Sequence, residues 1–154
     1  MKIKPGHISR RTPVYEVQAH YMAKAIRSLV DTCSRLFRPN TELTLETFYQ
    51  FQGLSEYKQF EEAAFVCGFV CTDYSRFFPL ENVHERPREV IPSLSFAKLR
   101  HYIHTLQRAE KSKSEYSTSL WTAVQSGALS LVARRLEEDQ SLYENKVECD
   151  EEEI

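Results

Sequence analysis

The sequence predicts an all-α fold, a single bundle-like domain of about five to seven helices. Three observations predict it. Apolar residues recur at steps of three and four along several segments. Alternation at period two is absent except for an ambiguous run at residues 69–74. The chain has 154 residues, 42% of them hydrophobic, which is enough for one domain to bury roughly 70% of its unfolded surface without staples.

The elements follow in order. Residues 1–13 form a basic flexible arm, with Pro5, Gly6 and Pro13 and too little apolar content to bury. Tyr15, Ala19, Met22, Ile26, Leu29, Cys33 and Leu36 then form one continuous helical stripe over Val14–Phe37. Arg38-Pro39-Asn40 ends it, because the residue before a proline is pushed out of the helical region. Thr41–Gln52 reads as a short helix stopped by Gly53. Ser55 is the expected N-cap of a helix to about Gly68, with Phe60, Ala64 and Cys67 inward. Residues 79–95, punctuated by Pro79, Pro87 and Pro92, read as the longest internal loop. Ser95 opens a second clear helix to about Lys111, buried through Phe96, Leu99, Ile103 and Leu106, with a basic outer side of Lys98, Arg100, Arg108 and Lys111. Tyr116, Leu120, Trp121 and Val124 face a short helix ended by Gly127, and Leu129, Val132 and Leu136 a last one. The helical domain thus spans 14–139, followed by an acidic tail at 140–154 that is expected to be disordered.

The net charge of −2 conceals an uneven layout. Residues 1–38 carry eight Lys/Arg against Glu16 and Asp31, a net of +6. Residues 137–154 carry nine Asp/Glu against Lys146, a net of −8. No apolar run approaches the roughly 18 residues of a membrane span, and the N-terminus has no apolar signal core, so a cytoplasmic protein with reduced thiols is expected and no membrane partner.

Catalytic chemistry finds little support. There is no nucleophile elbow and no glycine-rich phosphate loop, so no cofactor is implied and the chain is not expected to be an enzyme. Cys33 lies within the first stripe, and Cys149 stands among carboxylates that suppress thiolate formation. Cys67 with Cys71, and His101 with His104, have spacings formally compatible with a two-Cys, two-His zinc site. Ligand pairs of small zinc modules come from tight turns, however, and cysteines within an apolar run are more often core residues, so no metal site is assigned. Arg108 and Glu110, two apart on one helix, do not face each other and are read as structural ion-pair residues with partners elsewhere.

The stretch Glu62–Asp139 resembles an uncharacterised bacterial family, domain of unknown function 6508. The matching features are the helix ending near Gly68-Phe69-Val70, the Tyr74/Phe77/Phe78 patch and Leu106-Gln107-Arg108-Ala109-Glu110. Ser126-Gly127-Ala128-Leu129 and Arg134-Arg135-Leu136 complete them. Where the family has a basic residue, an aromatic and a glycine, this chain has Lys111-Ser112-Lys113-Ser114. The resemblance implies a small helical domain, no activity, and a role in the fold for Arg108 and Glu110.

The leading expectation is a non-enzymatic accessory or inhibitor protein that binds another protein. Its specific form is a phage- or mobile-element-encoded inhibitor of a host nucleic-acid-handling defence complex, like an anti-CRISPR protein. The partner would present a basic surface to Glu148, Asp150, Glu151, Glu152 and Glu153. The alternative is a DNA- or RNA-binding regulator using Arg10, Arg11, Arg27, Arg35 and Arg38. A cryptic metalloprotein or enzyme is the third reading. The Tyr15–Leu36 stripe is long enough to pair with a second copy in a homodimer.

Overall fold

Helix α1 (Val14–Leu36) is the frame of the domain. The computed structural model describes residues 14–38, 41–70, 78–110 and 118–138; the arm at 1–13, the ambiguous run beyond Val70 and the acidic tail lie outside the described residues. Among the described residues the chain forms eight α-helices and one 3-10 turn, a single helical bundle. No described helix is long and apolar enough to cross a membrane.

From Ala19 to Cys33 the stripe on α1 is buried within its own chain. Ala19, Met22, Ile26, Leu29 and Cys33 are enclosed, and α1 packs chiefly on α3 (Ser55–Val66) and α8 (Ala128–Glu138). The face that offered a homodimer seam is therefore occupied. Leu36 departs from the stripe: it is 60% exposed, and Phe37 turns inward in its place. Phe37 lies one helical turn after Cys33 and its N–H still donates to Cys33 O at 2.7 Å, so helical spacing itself carries the stripe to Phe37 and leaves Leu36 beside it.

Helix α2 (Leu45–Gln52) begins at a capping box, Thr44 and Thr47 each receiving the other's backbone N–H. Ser55 does not cap α3. Leu54 is the N-cap, and the Ser55 hydroxyl turns to the Glu56 carboxylate. Helix α3 closes in a Schellman turn: Gly68, at φ +76°, donates to Phe65 O, and Phe69 donates to Ala64 O. The Arg100 guanidinium clamps this turn from α6 (Phe96–Glu110). It donates to Gly68 O and lies 5.9 and 5.8 Å from the centres of the Phe69 and Phe96 rings. The predicted basic outer side of α6 thus includes one structural arginine.

Residues 79–95 are not a loop. They fold as α4 (Leu80–Glu85), α5 (Pro87–Val90) and the 3-10 turn Ile91–Ser93, which raises the count above the expected five to seven. The prolines occupy places where a missing N–H costs nothing, with Pro79 as N-cap of α4 and Pro87 as first residue of α5. Val83, Ile91 and Leu94 are buried from this segment. Arg135 of α8 holds it in place, one nitrogen donating to Ile91 O and Leu94 O at 2.8 Å each. Ser95 caps α6 as expected, its hydroxyl accepting Lys98 N–H at 3.2 Å. Gly127, at φ +88°, ends α7 (Ser119–Gln125) and lets α8 start at the next residue.

An aromatic cluster joins α1, α2, α3 and α7. The Phe37 and Phe51 rings both meet Trp121 edge-on, at 5.2 and 5.4 Å, and Tyr57 meets Phe51 at 5.3 Å.

Candidate functional site

Helix α6 runs through the middle of the bundle. Every residue from His101 to Gln107 is buried, which requires packing on all sides of the helix. Such a helix reads as apolar throughout in an ordinary core. This one carries His101, His104, Thr105 and Gln107 among its buried residues.

His101, His104 and Arg108 follow one another at helical spacing, and the two imidazoles lie 6.4 Å apart. Burial, with Arg108 and His101 nearby, pushes His104 down to about 4. Phe78 covers the next strip of the helix, its ring edge-on to His101 at 5.4 Å and to Tyr102 at 6.1 Å. The Phe78 N–H donates to Thr105 Oγ1 at 2.9 Å. Beyond it, Tyr102 is hydrogen-bonded at 2.8 Å to His84 of α4. Burial lowers the His84 pKa and raises that of the Tyr102 hydroxyl, so neutral forms meet here. The Gln107 amide nitrogen is buried with no acceptor among the described residues.

This polar helix opens onto a cavity of about 550 Å³ between the start of α4, the C-terminal half of α6 and the start of α7. Thr105 and Arg108 reach it from α6, Asn82 from α4 and Ser119 from α7. Phe78, Pro79, Leu80 and Ala109 give it apolar walls.

The structure distributes the sequence-derived candidates unevenly. Arg108 is exposed on this cavity, and among the described residues no carboxylate pairs with it. The Glu110 side chain lies outside the described residues, so the ion-pair reading of Arg108 finds no partner here. His101 and His104 do come together. Cys67 sits instead at the C-cap of α3, its thiol facing the Met22 backbone, and Cys71 lies outside the described residues. Among the described residues no three His, Cys, Asp or Glu side chains are grouped to hold a metal ion. Burial pushes both Cys33 and Cys67 up to about 12, so neither offers a thiolate nucleophile.

On the basic face of α1, Arg27 is tied to Glu137 of α8, and Arg35 donates to Thr32 at 3.2 Å. Asp31 and Glu56 interrupt the face beside Lys24. Arg38 is exposed. Arg10 and Arg11, and the acidic group Glu148, Asp150, Glu151, Glu152 and Glu153, lie outside the described residues.

One feature was not singled out from the sequence. Where α1 ends and α2 begins, Leu36, Leu43, Leu45 and Tyr49 are exposed, three of them by more than half. Leu45 and Tyr49 stand one helical turn apart on α2. The available signal was the surplus of apolar residues in Leu43–Phe51 over what one face of an eight-residue helix can bury.

No family model, no curated protein and no solved structure matches this chain.

Proposed function

We propose that this chain is a non-enzymatic helical domain that binds another protein through the corner between α1 and α2. The observation that carries this reading is the group Leu36, Leu43, Leu45 and Tyr49 held in water beside a well-filled core. Exposed apolar side chains with charged neighbours are what protein interfaces use, and tyrosine is among their favoured residues. Glu42, Glu46, Arg35 and Arg38 are exposed around the corner and supply a polar rim.

Within this class, an inhibitor of a nucleic-acid-handling defence complex would add a second contact, from Glu148–Glu153 to a basic surface. The opposite charges of the two ends support that form. A salt-dependent loss of affinity on neutralising Glu148, Asp150, Glu151, Glu152 and Glu153 is its expected signature.

The test is affinity capture from native lysate with and without nuclease, comparing the natural chain with the double variant Leu45→Asp/Tyr49→Asp. A partner retained after nuclease and lost with the variant is the expected result. Capture that disappears with nuclease would move the reading to a nucleic-acid-binding regulator. Identical capture by both chains would remove the corner from the interface. Light scattering on the purified protein separates a foreign partner from a second copy.

A further inference from the structure

We propose that the cavity at Arg108 is a binding site for a small carboxylic acid with an apolar body. Its volume, about 550 Å³, lies in the range of roughly 300–1,000 Å³ typical of small-molecule pockets. Its walls divide the ligand's chemistry in two. Phe78, Pro79, Leu80 and Ala109 offer ring and aliphatic surface with no hydrogen-bonding side chain. Facing them is a set of side chains rich in donors.

Thr105 is the most informative of these. It is 98% buried, and its oxygen already accepts the Phe78 N–H. Its hydroxyl proton has no acceptor among the described residues and is left for whatever fills the cavity. Asn82 and Ser119 add an amide and a hydroxyl. Arg108 adds a guanidinium with no ion-pair partner among the described residues, and the neighbouring buried His104, held neutral, brings no competing charge. Glu81 is the only carboxylate among the described lining residues, and it does not pair with Arg108.

A site with several donors and an arginine that has no ion-pair partner among the described residues calls for a ligand rich in acceptors. The planar guanidinium fork matches a carboxylate in two parallel hydrogen bonds. The apolar walls require that carboxylate to carry a hydrocarbon or aromatic portion, which separates this ligand from a bare inorganic anion. The inference is independent of the α1–α2 corner, which lies on other elements.

The test uses calorimetric titration of the full chain with phenylacetate and hexanoate, with phenylacetamide and inorganic phosphate as controls. Saturable binding of either acid, at least about tenfold tighter than phenylacetamide or phosphate, is expected. Arg108→Gln alters an exposed residue and leaves the core intact. It should weaken the acid about tenfold or more and leave the amide unchanged. Thr105→Val should weaken the acid several-fold. Failure of both acids to saturate at millimolar concentration overturns the site, as does equal acid affinity in the Arg108→Gln protein. Phosphate binding as tight as the acids overturns the ligand class.

Discussion

Two aromatic clusters stabilise this bundle, and they differ in what lies among the rings. Around Trp121 the neighbours are Phe37, Phe51 and Tyr57, joining α1, α2, α3 and α7 through edge-on ring contacts. Around Tyr102 the neighbours are Phe78 and His84; His101 meets the same Phe78 ring, with His104 and Thr105 alongside on α6. The first cluster is built on ring-to-ring contacts and contains no imidazole. The second buries imidazoles that water would protonate, at a cost the first does not carry. The cavity opens beside the second cluster, where Phe78 and Thr105 belong to both.

The sharpest way to break this contrast is to remove the central ring of the first cluster. Trp121→Ala should cost about 3–5 kcal/mol in urea unfolding, enough to threaten the folded state. A loss below about 1 kcal/mol would show that the cluster does not hold α7 against α1.

Next in size is acid. The unfolded chain takes up a proton on His104 as the pH falls through 6.5, while the folded chain resists until about 4. The contribution is therefore complete above pH 6.5, falls as the pH drops to 4 and is constant below. The full loss is on the order of 3 kcal/mol. His84 shifts in the same direction. Urea midpoints at pH 7 and pH 5 measure the slope, and His104→Leu should flatten it. An unchanged slope in that variant would remove His104 from the account.

A smaller effect is expected of Tyr102→Phe, which keeps the ring and deletes the hydroxyl that meets His84. About 1 kcal/mol should be lost at neutral pH. Smallest of all, Leu45→Asp/Tyr49→Asp should change stability by no more than about 0.5 kcal/mol, since both side chains already face water. A large destabilisation would mean that the α1–α2 corner supports the core.

Periodicity made the long elements legible. The steps of three and four on α1 and α6, and the positive-φ glycine after α7, appear in the structure where the sequence places them. Punctuation misled at residues 79–95, because a proline that opens a short helix looks in sequence like one that forbids it. Ser55 misled likewise, since a good capping residue one place late becomes the first residue of the helix. The candidate site was legible only in part. His101, His104 and Arg108 share a helix face by spacing alone, but their burial depends on α4 and Phe78, which reach them from far along the chain. Arg108 read as a structural residue because spacing cannot distinguish an arginine lining a cavity from one in a salt bridge. The tails dominated the charge argument, and they lie outside the described residues.

Arg135 reaches back more than forty residues to hold the carbonyls of Ile91 and Leu94, and its helix also forms much of the cover of α1. During synthesis, α1 and the segment around Ile91 emerge from the ribosome well before α8. Neither can reach its final packing until α8 arrives, so the domain is expected to complete its fold late, through contacts between segments far apart in the chain.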